Sequence, residues 1–67
     1  MNMNRKTLER FLGKDINVAV PHWDEPGKLF WYSGFAAELT DEYIALVTDT
    51  QIIKVDISKI ESLEVRE

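Results

Sequence analysis

The chain has 67 residues, no cysteine, one histidine and a formal net charge of −4. A domain of this size buries only about 60% of the surface that its unfolded chain exposes, so its core alone contributes little net stability. Disulfides and thiolate zinc sites are excluded and one histidine does not build a closed metal site, so self-association is the expected source of further stability.

The N-terminal segment predicts a short helix over residues 4–12. Asn4 is a favourable N-cap, and Gly13 suits the left-handed conformation that ends many helices. The apolar stripe of this helix consists of Leu8, Phe11 and Leu12. A helix of about ten residues is marginal by itself, so we expect the stripe to dock on the rest of the domain.

The next two elements are predicted to be strands. Residues 15–20 alternate between apolar and small or polar side chains, which indicates a half-buried strand. The loop that follows contains two prolines and a glycine, which prevent regular pairing. Residues 28–39, KLFWYSGFAAEL, predict one long strand, and Gly34 in its middle predicts a sharp bend.

Both faces of this long strand are apolar. With a period of two, one face carries Leu29, Trp31, Phe35 and Leu39, and the other carries Phe30, Tyr32 and Ala36. We expect at least two of the three consecutive aromatic residues to lie in the core. The other face must be covered by the helix, by the loop around Trp23 or by another subunit.

Three shorter strands are predicted over residues 43–48, 51–57 and 61–66, separated by polar turns. The predicted fold is mostly β: a short N-terminal α-helix is followed by five strands in one meander, which form a strongly bent, small open barrel. Residues 1–67 are expected to be a single domain, because no linker or internal repeat interrupts the chain.

Charge is distributed unevenly along the chain. Residues 1–14 carry a net charge of +3 and residues 15–67 a net charge of −7. The body should therefore repel a phosphate backbone, and only the N-terminal segment could attract one. The alternative interpretation is that this segment is simply a solvated helix face.

No segment is predicted to cross or anchor in a membrane. The longest run without a charge, Leu29–Ala37, is far shorter than the roughly 20 residues of a membrane-spanning helix. The N-terminus has no apolar region typical of a signal peptide. A cytoplasmic location is expected.

The order of the elements and two short motifs resemble the Sm-like (LSm) family of small SH3-like barrels, in particular its bacterial RNA-chaperone (Hfq-type) branch. YSGFAAEL resembles the bent second strand of that family, and KVDISKI, residues 54–60, resembles its second motif. The resemblance implies a homo-oligomeric ring in which the fourth strand of one subunit pairs with the fifth strand of the next. It also implies that the ring binds RNA.

Residue-by-residue comparison with the family gives a mixed result. The lysine of the second motif is present as Lys54, but Val55 stands in place of the histidine beside it. The positions that contact a base in the family fall on Asp41 and Glu42, with Tyr43 one place late, and carboxylates there oppose binding of a phosphate backbone. The candidate RNA-binding residues are Arg5, Lys6, Arg10, Tyr43 and Lys54.

Catalysis and metal binding are not predicted. His22, Asp24 and Glu25 are close in sequence, but a proline-bounded loop does not fix them in a convergent geometry. The serines have only this one histidine as a possible partner, and no glycine-rich phosphate loop is present. We therefore expect a protein that is not an enzyme and that needs no cofactor and no metal.

Two functions remain open from the sequence. In the first, the chain is a ring-forming Sm-like protein that binds RNA weakly or with altered preference. In the alternative, the same barrel has lost RNA binding and acts as an assembly or interaction module for an unknown protein partner. Its candidate interaction surface consists of Trp23, Phe30 and Tyr32.

Overall fold

The computed structural model describes residues 4–66 as one five-stranded antiparallel sheet preceded by a short helical segment. The elements are helix α1 (Arg5–Leu8), a 3-10 turn (Glu9–Phe11), strands β1 (Asp15–Pro21), β2 (Leu29–Leu39), β3 (Tyr43–Val47) and β4 (Ile52–Asp56), a second 3-10 turn (Ile57–Lys59) and strand β5 (Ser62–Val65). The mostly β composition is as predicted, and each strand begins and ends within one residue of its predicted bounds. The sheet does not close on itself.

The strands lie in the order β4-β3-β2-β1-β5. The first four form a meander, but β5 pairs with β1, so the prediction of a single five-stranded meander was wrong for β5. Ile57 and Ile60, between β4 and β5, are buried in the core, and their burial directs the chain across the open side of the sheet. Strands β4 and β5 are consequently the two edges of the sheet.

The α-helix is shorter than predicted. The Asn4 side chain caps it by accepting a hydrogen bond from the Thr7 amide at 2.9 Å, and Leu8 is its only buried residue. The chain then tightens into the 3-10 turn, and Gly13, with φ +82°, donates its amide proton to the Ala36 carbonyl at 2.8 Å. This bond ties the segment to β2, and Leu12 remains 40% exposed.

Strand β2 is irregular, and its register against β3 shifts between Ala36 and Glu38. Gly34 lies close against β3. A Cβ atom at this position would lie 3.0 Å from the Leu46 Cβ and 3.0 Å from the Val47 carbonyl oxygen. The glycine therefore permits the close approach, and the register shift follows it along the strand.

The two faces of β2 differ in burial. Phe30 and Tyr32 are half-buried on the core side, whereas Trp31 and Phe35 are exposed on the outer face. The register shift exchanges the faces beyond Ala36, so Leu39 pairs with the buried Ile44 and packs against the core. The prediction that Leu39 shares the face of Trp31 was therefore wrong.

The core lies on the inner side of the bent sheet, and every strand contributes to it. It is completed by Leu8 and by the residues between β4 and β5. Its buried members are Leu8, Ile16, Val18, Ala36, Ile44, Leu46, Val55, Ile57 and Ile60. A core this small agrees with the limit that the chain length sets on burial.

Candidate functional site

Four rings form an aromatic cluster at one end of the sheet: His22, Trp23, Phe30 and Tyr32. The imidazole of His22 stacks on Trp23 with a centroid distance of 4.2 Å. Trp23 contacts Phe30 at 4.9 Å, and Phe30 meets Tyr32 edge to face at 4.8 Å. The cluster therefore joins the β1–β2 loop to the core side of β2. It contains all three residues of the candidate interaction surface.

The β1–β2 loop is held by its own polar contacts. Nδ1 of His22 accepts hydrogen bonds from the backbone amides of Asp24 and Glu25, both at 3.1 Å. The His22 amide donates to the Lys28 carbonyl at 2.9 Å, and the Lys28 ammonium lies 2.9 Å from a carboxylate oxygen of Glu25. These contacts fix the loop that presents Trp23, whose side chain is 72% exposed.

A cleft of about 270 Å³ lies beside the aromatic cluster, between β4 and the region where β1 ends and β2 begins. Its apolar lining comes from Val20, Pro21, Trp23, Tyr32 and Val55. Its charged lining comes from Lys54, Asp56 and Lys59. Lys59 was not among the sequence candidates, because nothing in its local sequence distinguishes it from an ordinary turn lysine.

The carboxylate of Asp56 is hydrogen-bonded within the turn that follows β4. One oxygen accepts hydrogen bonds from the Ser58 hydroxyl at 2.7 Å and from the Ser58 amide at 2.9 Å. These two bonds lower the pKa of Asp56 from its ordinary value of 3.8, and the charge of Lys59 acts in the same direction. Asp56 is therefore an anion at neutral pH, and its carboxylate is stabilised by the hydrogen-bond donors of its own turn.

The candidate RNA-binding residues fall into two groups. Lys6 and Arg10 are exposed on the N-terminal helical segment, where Arg5 pairs with Asp41 at 3.0 Å. In the second group, the Lys54 ammonium lies 5.0 Å from the centroid of the Tyr43 ring. The Arg5–Asp41 pair connects the helical segment with the β2–β3 turn, directly before Tyr43.

The outer face of the sheet exposes an apolar row that the sequence candidates did not include. Phe35, Val47 and Ile52 are paired across β2, β3 and β4, and Ile52 is 65% exposed. A polar ladder separates this row from Trp31: the Ser33 hydroxyl donates to the Asn17 side chain, which donates to Glu64. The sequence signal for this face was the alternation along β2. Its inner positions carry the small residues Gly34 and Ala36, so the large apolar side chains between them must point outward.

The two edges of the sheet present backbone groups outward. In the β3–β4 hairpin, bonds from the Thr48 amide to Gln51 and from the Ile57 amide to Glu42 fix the register. The backbone groups of Ile52, Lys54 and Asp56 therefore point away from β3. On β5, the bond from the Arg66 amide to the Asp15 carbonyl fixes the register against β1. The backbone groups of Leu63 and Val65 therefore point away from β1.

Residues 4–66 contain neither a metal-holding cluster nor a membrane-spanning helix. No group of three or more histidine, aspartate and glutamate side chains in this range converges so that it could hold a metal ion. Over the same residues, no helix has the length and apolar character needed to cross a bilayer.

No family model, curated protein or solved structure matches this chain.

Proposed function

We propose that this chain is a non-enzymatic Sm-like protein whose copies join edge to edge into a ring. The observation that carries the proposal is the unclosed five-stranded sheet, which ends in the free edges of β4 and β5. Free sheet edges are templates for pairing with another chain. A second copy is the partner that the small core most needs, since joining edges adds burial that the single chain lacks.

Charge disfavours pairing of two β5 edges. Strand β5 carries Glu64 and is preceded by Glu61, whereas β4 carries Lys54 and Asp56, one charge of each sign. Pairing β5 with β5 would therefore bring like charges together, while pairing β4 with β5 offers Glu64 an opposite charge in Lys54. A head-to-tail contact of this kind produces a ring when its rotation closes.

The mass of the protein in solution tests the proposal, by light scattering or native mass spectrometry. We expect the protein to be a multimer at micromolar concentration. Ile52→Pro removes an amide that points away from β3, so it should reduce the mass while leaving the subunit folded. Ile52→Ala keeps the amide and is the matched control, which should remain a multimer. A well-folded wild-type monomer at this concentration would refute the proposal.

Weak RNA binding is the second candidate function. Among residues 4–66, only Arg5 and Lys28 form ion pairs with carboxylates, so Lys6, Arg10 and Lys54 retain charge that a phosphate could neutralise. The acidic body limits the strength of such binding, and binding should weaken steeply as salt rises. The measurement is the affinity for labelled oligo-U and oligo-A at several salt concentrations.

A triple variant, Arg5→Glu with Lys6→Glu and Arg10→Glu, should abolish RNA binding and leave the multimer intact. If wild-type protein binds neither RNA at low salt, the RNA candidate is excluded. The ring then remains as an assembly or interaction module for a protein partner, which is the alternative function.

A further inference from the structure

We infer that the β1–β2 loop is a pH-sensitive switch, which keeps its shape while His22 is neutral and is released when His22 takes up a proton. The loop presents Trp23, which belongs to the candidate interaction surface and is 72% exposed. The inference goes beyond the proposed ring, because one subunit supplies every hydrogen bond on which it depends. Its consequence is that pH regulates the shape of that surface.

The three loops that follow β1, β2 and β3 share one construction. In each, the side chain of the residue directly after the strand accepts hydrogen bonds from the backbone amides two and three positions later. In the β2–β3 turn, Oγ1 of Thr40 accepts from the amides of Glu42 and Tyr43 at 3.1 and 3.0 Å. Oγ1 of Thr48 accepts the equivalent pair of bonds in the β3–β4 turn.

In the β1–β2 loop the acceptor is His22 instead of a threonine. Its Nδ1 accepts from the amides of Asp24 and Glu25, both at 3.1 Å. A hydroxyl oxygen keeps its lone pairs, whereas an imidazole nitrogen accepts only while it carries no proton. Histidine ordinarily changes its charge between about pH 5 and pH 8. Of the three turns, this one therefore has the pH-sensitive acceptor.

One proton disrupts the whole loop. Because Nδ1 accepts both bonds, its protonation removes both and places an N–H where two amides point. Amides that lose their acceptor are costly unless they find another partner, so the loop must rearrange. The imidazole also stacks on Trp23, with 4.2 Å between the ring centroids and 17° between the planes. Reorientation of His22 therefore moves the ring on which Trp23 rests.

The charges around His22 offer the protonated ring a new partner. The Glu25 carboxylate is held by the Lys28 ammonium at 2.9 Å, whereas Asp24 forms no ion pair among residues 4–66. An imidazolium N–H forms a charge-assisted hydrogen bond with such a carboxylate once the loop is released. On β2 the side chain packed against the imidazole, Phe30, is uncharged. The charged residues that line the neighbouring cleft together with Trp23 are Lys54, Asp56 and Lys59.

The test is NMR spectroscopy of the full chain at about pH 8 and about pH 5. The measured quantity is the protection of single backbone amides from hydrogen exchange, relative to an unstructured chain at the same pH. We expect the protection of Asp24 and Glu25 to fall at least about threefold in acid, as loss of a hydrogen bond implies. The amides of Glu42 and Tyr43, which Thr40 accepts, are the internal control and should keep their protection.

Two variants separate the proton from the acceptor. His22→Asn keeps a side-chain acceptor but does not titrate, and Asn4 already serves in this role, since its Oδ1 accepts from the Thr7 amide at 2.9 Å. We expect His22→Asn to protect Asp24 and Glu25 at both pH values. His22→Ala has no acceptor and should protect neither amide at either pH. Well-dispersed amide spectra establish that each variant is folded.

Three results would overturn the inference. The first is equal protection of Asp24 and Glu25 in the wild type at the two pH values. The second is a loss of protection in His22→Asn in acid as large as that of the wild type, and the third is full protection in His22→Ala at about pH 8. Failure of the proposed ring appears in the mass of the protein, whereas failure of the switch appears in these amides.

Discussion

Gly34 is the position at which a single added methyl group has the clearest consequence. In Gly34→Ala the new Cβ would lie 3.0 Å from both the Leu46 Cβ and the Val47 carbonyl oxygen, and one of these neighbours is backbone. We expect overpacking to lower the free energy of unfolding by about 1–3 kcal/mol. Urea unfolding measures it. An unchanged urea midpoint in Gly34→Ala would show that β3 can withdraw.

Asp56 gives the stability of the domain a dependence on pH. Folding lowers the pKa of this carboxyl below 3.8 through its bonds to Ser58, so the folded state holds the proton more weakly than the unfolded state does. The stability that the anion contributes is therefore complete above the unfolded pKa and is lost as the pH falls through the folded pKa.

The isosteric variant Asp56→Asn isolates this contribution. At neutral pH we expect a lower urea midpoint than in wild type, and at a pH below the folded pKa of Asp56 we expect the two midpoints to converge. Ser58→Ala, which removes the hydroxyl donor, should shift the neutral midpoint in the same direction. A difference between wild type and Asp56→Asn that persists unchanged in acid would rule out the charge as its cause.

At the scale of elements, the N-terminal helical segment docks through the buried Leu8, with the half-buried Phe11 also packed against the core. Leu8 is fully buried and is the only buried residue of α1, whereas Leu12 is 40% exposed. Leu8→Ala should therefore cost about 2–5 kcal/mol of unfolding free energy, and Leu12→Ala less than about 1 kcal/mol. Urea denaturation of the two variants provides the measurement, and equal losses would mean that the helical segment does not dock through Leu8.

The elements themselves were largely predictable, because each strand has its own alternation and is bounded by turn residues. What local sequence did not reveal was how the strands combine. The pairing of β5 with β1 depends on burial of Ile57 and Ile60, which is a property of the assembled core. The exchange of faces at Leu39 depends on a register shift against β3, which no residue of β2 signals by itself.

At the scale of the whole molecule, the candidate site was only partly predictable. The sequence singled out Trp23, Phe30 and Tyr32 as one candidate surface and Lys54 as a candidate RNA contact, and the structure brings all but Phe30 to the lining of one cleft. Their convergence follows from the bend of the sheet, which carries β4 toward the end of β1. The exposed row through Ile52 was missed because the pairing of Phe35 with Val47 and Ile52 appears only once the register is fixed.

If copies of this chain join through β4 and β5, folding and assembly are linked, and thermal stability must depend on protein concentration. Binding that favours the folded state raises the melting temperature by mass action, so we expect the Tm to rise across a hundredfold increase in protein concentration. In Ile52→Pro the Tm should be lower and should not change with concentration, whereas Ile52→Ala should follow the wild type. Differential scanning calorimetry at several concentrations measures both effects. A wild-type Tm that is independent of concentration across this hundredfold range would mean that the free edges of β4 and β5 are stable unpaired, and that the subunit suffices with its own small core.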